Sequence, residues 1–366
     1  MKETHIFAED FDPKAMEQFT SAMDEPFALK GALMPDVHFG YSLPIGAVVA
    51  TGGVVVPAWV GYDIGCGMCA VPTTFGADDV KANDVEIFGA IYEAVPVGFN
   101  HNETRGEWEE GGRLPATPFL REQYENKGLY QIGTLGSGNH FIEIGTDEAG
   151  TVWIITHSGS RNLGHRTATH YIKQAHPDGK CKEGHYGFDV DSVEGVSYIT
   201  DLQFCLQFAL ANRREIVRRV EDEIAYYMPG YALWDNLINR NHNHAEFKEG
   251  VGWIHRKGAT HAEAGMLGVI PGNMRDGSFI VRGKGNPDAL WSSSHGAGRV
   301  LGRKEAKRVL YVADFKATMQ GITAKADADT LDESPEAYKS IHDVMALQAD
   351  LVDVLHHVKP IINIKG

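Results

Sequence analysis

No run of 18 or more consecutive apolar residues occurs in the 366-residue chain, which excludes a membrane-spanning helix. Cysteine is scarce: four residues, irregularly spaced, do not make a disulfide framework. No internal repeat, low-complexity tract or linker occurs, so one domain over residues 1–366 is expected. The first ten residues contain acids and no hydrophobic signal core, and the expected location is the cytoplasm. Positive charge is also in deficit. With 34 Lys and Arg against 49 Asp and Glu the net charge is −15, which argues against indiscriminate nucleic-acid binding through the overall field. A local basic groove is still allowed. Arg213, Arg214, Arg218 and Arg219 interleave with Glu215, Glu221 and Glu223 and read as a solvated helix face. Arg299, Arg303, Lys304, Lys307 and Arg308 stand near a histidine and carry more weight.

What the chain does have is glycine-rich turns loaded with ligand-capable side chains. Gly61-Tyr62-Asp63-Ile64-Gly65-Cys66-Gly67-Met68 sets a carboxylate three residues from a thiol, beyond an apolar run (Ala47 to Val56) closed by Pro57. A thiolate beside a carboxylate is unfavourable unless a cation lies between them. Alone, the stretch reads equally as a tight turn with a buried cysteine. Four histidines, His140, His157, His242 and His295, stand in similar Gly-, Ser- or Asn-rich turns. Carboxylate, thiolate and imidazole together suit Mn²⁺, Zn²⁺ or Fe²⁺ better than Mg²⁺ or Ca²⁺. Six such groups exceed one tetrahedral structural zinc, and fit two ions or one ion plus a reactive histidine.

The periodicity predicts short strands alternating with helices, an α+β or α/β class with mixed sheets. A short amphipathic helix is expected after Pro13, turn-rich chain over 34–46 and a helix over 78–95. Residues 99–128 are expected to form a surface excursion or lid. Strands are expected near 140–144, 151–156, 253–261 and 278–282, with the longest helix over Leu202 to Tyr227. A last helix is expected to start at Ser334 and Pro335 and to carry Val344, Leu347, Leu351, Val354 and Leu355 inward, before a docked strand over 358–366. Small residues and arginines around Ser294-His295-Gly296-Ala297-Gly298-Arg299, before a helix start at Arg303, suit a phosphate.

Taken in order, Met34-Pro-Asp-Val-His38, Gly61-Tyr-Asp-Ile-Gly-Cys66, Gly136-Ser-Gly-Asn-His140, His157-Ser-Gly-Ser-Arg161, Ser294-His-Gly-Ala-Gly-Arg299 and Lys365-Gly366 resemble the RtcB family of RNA ligases, from about residue 31 onward. The resemblance implies an α+β fold and a GTP- and Mn²⁺-dependent ligase, with RNA as partner. Such a ligase joins RNA 3′-phosphate or 2′,3′-cyclic phosphate ends to 5′-hydroxyl ends through a guanylylated histidine. By motif, His295 is the guanylylated residue, and Asp63, Cys66, His140, His157 and His242 hold two metal ions, with His244 competing with His242. Asn139, Glu143, Asn273, Ser278, Gly296, Ala297, Gly298, Tyr338 and Lys365 fall in the nucleotide pocket, and Arg161, Lys257, Arg299 and Arg303 at RNA or guanylate phosphates. Glu143 would accept from guanine N1 and N2 while Lys365 donates to O6. The chain departs from the pattern at His261, where many members carry arginine, at Asn273, a common serine, and at Phe39, a frequent tryptophan. The physiological RNA and the need for an archease-like activator stay open. The competing readings are a metal-dependent phosphohydrolase or cyclic phosphodiesterase without ligation, and a non-catalytic RNA-binding protein.

Overall fold

In the computed structural model, which describes residues 2–182 and 184–366, two long strands occupy the stretch expected to be turn-rich. Ala28–Tyr41 and Leu43–Thr51 run antiparallel, and the ladder slips between Leu33 and His38, where the strand bulges. Glycines and prolines in this stretch mark that irregular pairing rather than a loop. Gly46 shows why: at φ +90° a Cβ there would meet the Val37 backbone at 2.9 Å and Asp36 Oδ1 at 3.0 Å.

These strands are the centre of a five-stranded mixed sheet in the order Glu3–Ile6, Ala28–Tyr41, Leu43–Thr51, Gly252–Lys257, Asn243–Lys248. The second sheet has eight strands. Its main path runs Leu267–Pro271, Ser278–Gly283, Val352–Lys365, Phe141–Thr146, Val152–Ser158, Gly67–Pro72, Ile238–Asn241, and Thr323–Ala324 pairs parallel to the long closing strand. The first and last strands of that path also touch, so the sheet curls towards closure. Helices flank both sheets, giving the expected α+β class. Among the described residues no helix is long and apolar enough to cross a membrane.

The longest helix, Val193–Tyr227, starts earlier than its apolar pattern suggests, because Ser192 caps it by accepting from the Gly195 amide at 3.0 Å. Its Ile216, Val217, Val220 and Ile224 pack on Val71, Ile142, Ile144 and Ile154 of the large sheet. Arg213 on this helix is not on a solvated face. It is fully buried, and donates to Gly65 O and Ser158 O at 2.8 Å and to the Asn239 and Asn241 side chains at 2.7 Å. The interleaved glutamates concealed it, because its neighbours Arg218 and Arg219 are the ones that pair with Glu215.

The end of the chain also differs from expectation. Pro335–Ala337 is a single tight turn, the helix is confined to Ile341–Leu347, and the strand begins at Val352, so Val354 and Leu355 are strand residues. The β-branched run Val352, Val354, Val358 favours strand over the helical spacing that the leucines mimic. Residues 99–128 contain the helix Pro118–Gln123 followed by one wide helical turn, Tyr124–Gly128, rather than bare loop.

Arg213 ties the Gly65 loop to the strands Val152–Ser158 and Ile238–Asn241, so removing it strands several buried acceptors. Arg213→Ala should cost roughly 3 kcal/mol of stability, read as a lowered urea midpoint at unchanged m-value; a change under about 0.5 kcal/mol would contradict this role.

Candidate active site

One end of four neighbouring antiparallel strands gathers the ligand-type residues, at the amino ends of Gly67–Pro72 and Phe141–Thr146 and the carboxyl ends of Val152–Ser158 and Ile238–Asn241. Gly67 pairs with both Ser158 and Asn241, and Phe141 with His157, so Cys66, His140, His157 and His242 all fall at one end of the large sheet. His242 is the one residue between Ile238–Asn241, in the large sheet, and Asn243–Lys248, in the small one. Its amide donates to Cys66 O at 2.7 Å.

The side-chain atoms converge tightly. Cys66 Sγ is 3.4 Å from His140 Nε2 and 3.2 Å from His157 Nε2; His157 Nε2 is 3.2 Å from His242 Nε2; His140 Nε2 is 3.0 Å from Asp63 Oδ2. The Nδ1 atoms of His140 and His157 donate to the carbonyls of Leu135 and Asn139, at 2.9 and 3.1 Å. In the neutral rings this leaves lone pairs on Nε2, and lone pairs facing a carboxylate, a sulfur and one another need a proton or a metal ion between them. Burial, then the neighbouring imidazoles, hold His157 and His242 well below the usual histidine range, so neither ring supplies that proton near neutrality. Burial and the Asp63 charge push the Cys66 thiol well up. Burial also works to raise Asp63, but the His140 hydrogen bond and the charges of His140 and Arg161 overturn it and hold the carboxyl low. The donor set therefore fits a borderline divalent ion.

His244 is elsewhere. Its Nε2 meets Arg256 Nη1 at 3.0 Å and its ring stacks on His261 at 4.6 Å. His244, Glu246 and His261 do bring ligand atoms together, but the buried Arg256 guanidinium bonds both His244 and Glu246 and already supplies the cation there.

His295 follows the short strand Ser292–Ser294, and the helix expected at Arg303 starts there, Arg303–Val309. Its ring lies 4.8 Å from that of His242, edge to face. The fully buried Asp36 takes both its Nδ1–H, at 2.6 Å, and its backbone N–H, at 3.1 Å, through one oxygen. Asp36 thus fixes the tautomer and leaves the Nε2 lone pair free to act. The Asp-x-His of the bulged strand was the available signal for it. His38 itself donates to Asp36 O at 2.9 Å and is held down to about 4 by burial.

The cluster separates two cavities. One, of about 240 Å³, is lined by His157, His295, Gly296, Ala297, Gly298, Asn139, Asn273, Arg299, Arg303, Tyr338, Asn363 and Lys365, among others. The other, of about 820 Å³, has Asp63, His140 and Arg161 in its wall and Phe99, His101, Asn102 and Lys127 of the 99–128 excursion over it. Arg161 donates to Thr134 Oγ1 and Gly98 O.

Two expected residues do not reach the smaller cavity. Glu143 and Ser278 are buried but are not among its lining residues, whereas Asn363 is, and donates to Glu143 at 3.4 Å. Lys257 lines neither cavity; its ammonium donates to Tyr41 O and Ala58 O. Lys365 donates not towards Glu143 but to Glu333 Oε2 at 2.8 Å. Glu333, unnoticed in the sequence, also takes Tyr338 at 2.6 Å, Arg303 at 2.6 Å and Arg299 at 3.2 Å. Burial would raise it, but the charges of Lys365 and Arg303 and these bonds hold it down to about 2. Asn273 caps its own turn, bonding Asp276 Oδ2 at 2.7 Å and accepting from the Arg275 and Asp276 amides.

The family model described as tRNA-splicing ligase RtcB matches residues 18–113 and 99–366. The chain belongs to the RtcB family. RNA-splicing ligase RtcB of Escherichia coli K12 is 37% identical, over 96% of this chain and 94% of the relative. tRNA-splicing ligase RtcB of Archaeoglobus fulgidus is 29% identical over 93% of this chain and 87% of its own length. RNA-splicing ligase RtcB of Mycobacterium tuberculosis is 29% identical, over 91% of this chain and 96% of the relative. RtcB membership fits the candidate metal group Cys66, His140 and His157, whose ligand atoms all lie within 4.8 Å of one another.

Burial lifts the Glu143 carboxyl from its ordinary 4.5 to about 8. The folded state then holds a proton that the unfolded chain has released, so stability falls as pH rises from 4.5 and the loss levels off above about 8. Glu143→Gln should flatten that part of the stability–pH curve, by at most about 1.4 kcal/mol per pH unit. Parallel curves for variant and wild type would show Glu143 to be ionised throughout.

Proposed function

We propose that this protein is a GTP- and Mn²⁺-dependent RNA ligase, a single domain over residues 1–366, joining RNA 3′-phosphate or 2′,3′-cyclic phosphate ends to 5′-hydroxyl ends in RNA repair or splicing. The names of its relatives support ligation of RNA. The observation that carries the chemistry is His295, pinned through Nδ1 by Asp36 while its ring borders both the histidine–cysteine cluster and the smaller cavity.

In this reading His295 Nε2 attacks the α-phosphorus of GTP. A P–N bond forms, the bond to the β-phosphate oxygen breaks, and pyrophosphate leaves. Asp36 stabilises the positive charge that develops on the imidazole. An oxygen of the RNA 3′-phosphate next attacks the same phosphorus, breaking the P–N bond and giving an RNA(3′)pp(5′)G end. The 5′-hydroxyl of the second RNA then attacks the 3′-phosphate, loses its proton and expels GMP. Arg299 and Arg303, already in the cavity wall, suit the phosphates, and Arg161, in the larger cavity, suits the incoming RNA. Two manganese ions held by Asp63, Cys66, His140, His157 and His242 would supply positive charge against the phosphoryl oxygens. The same reading has the protein in the cytoplasm and leaves the need for an archease-like activator open.

Joining of a 3′-phosphate RNA to a 5′-hydroxyl RNA, with and without GTP and Mn²⁺, tests this. His295→Ala should abolish joining while leaving Mn²⁺ binding intact, and Asp36→Asn, which presents the wrong tautomer, should slow it on the order of 10³-fold. Cys66→Ser should lower Mn²⁺ affinity, because a neutral hydroxyl would replace a ligand that binds as a charged thiolate. Joining by the His295→Ala variant would defeat the proposal. Opening of cyclic phosphates without joining would favour the phosphodiesterase.

A further inference from the structure

Asn363 lies on the closing strand directly across from Glu143, as its register partner in Phe141–Thr146. It is 1% exposed yet lines the smaller cavity. Its Nδ2 makes one long bond to Glu143 Oε2, at 3.4 Å, and its Oδ1 has no partner. Glu143 and Ser278 are buried and do not line the cavity. Unpaired polar atoms are costly inside a protein, and one at a cavity wall gains its bond when a ligand brings the matching group. Asn363 Oδ1 can only accept, so the matching group is a donor. Lys365 is committed to Glu333, which leaves this acceptor as the strongest unpaired feature of the cavity wall.

We propose that Asn363, held from behind by Glu143 through Nδ2, is a specificity-determining residue that reads the guanine 2-amino group, accepting one of its hydrogens through Oδ1. This rests on the guanylylation reading above. Adenine and hypoxanthine have no 2-amino group and leave the Asn363 oxygen unpaired. An N2-methyl group replaces one of the two amino hydrogens and sets a methyl against the Asn363 wall of the cavity.

The test is the initial rate of covalent guanylylation with Mn²⁺ and, in turn, GTP, ITP and N2-methyl-GTP. The wild type should use N2-methyl-GTP and ITP about tenfold or more slowly than GTP. Asn363→Ala removes the acceptor and makes room for the methyl, so its GTP rate should fall and its N2-methyl-GTP to GTP ratio should approach unity. Because that ratio is taken within one protein, a general loss of folding or activity does not alter it, and the wild-type comparison stands even if the variant fails to fold. Equal wild-type use of GTP and N2-methyl-GTP would overturn the inference, as would a wild-type ratio retained in the variant. No labelling of the wild type by GTP would defeat the guanylylation reading itself, and the inference with it.

Discussion

Acceptors facing acceptors organise this molecule. Cys66, the three imidazoles of His140, His157 and His242, and the Asp63 carboxylate turn lone pairs towards one another over distances of 3.0 to 3.4 Å. Such an arrangement repels itself unless a cation or protons occupy it. The fold holds it together from behind. Arg213 clamps the loop that carries Cys66, the strand that ends at His157 and Ser158, and the strand that leads to His242, and backbone carbonyls fix two of the rings through Nδ1. Close approach needs glycine: a Cβ on Gly159 would fall 2.3 Å from Asp63 Oδ1.

The cavity beside this cluster is governed by the opposite sign. Arg299, Arg303 and Lys365 line its wall, and the chain that bears them carries a net charge of −15. Glu333 reconciles the two, gathering all three cations and the Tyr338 hydroxyl on a single buried carboxylate. The positive side chains are thereby held in fixed positions before any phosphate arrives, so less side-chain freedom is lost on binding. The cavity wall is therefore cationic on a protein that is anionic as a whole.

The site was more legible in the sequence than the elements that carry it. Cysteine, histidine and asparagine in glycine-rich turns announce chemistry wherever they fall, so Asp63, Cys66, His140, His157, His242 and His295 were found together by residue type and motif. Spacing could not separate His242 from His244; only the crossing of the chain between sheets does that, by turning one into the cluster and the other towards Arg256. Asp36 and Glu333 were missed because an ordinary acid gives no local sign that its partner is 259 or 32 residues away. Local patterns misled at Arg213, hidden among surface acids, and at residues 352–355, where leucine spacing imitates a helix inside a strand.

The central claim is that the imidazole held by Asp36 is the covalent acceptor of the guanylate. Peptide mapping by mass spectrometry, after incubation with GTP and Mn²⁺ and digestion under alkaline conditions that preserve a P–N bond, addresses it directly. The account expects a single GMP, on the peptide containing His295, dependent on Mn²⁺ and lost on mild acid treatment. A GMP on any other residue, or none on a protein that nonetheless joins RNA ends, would contradict it.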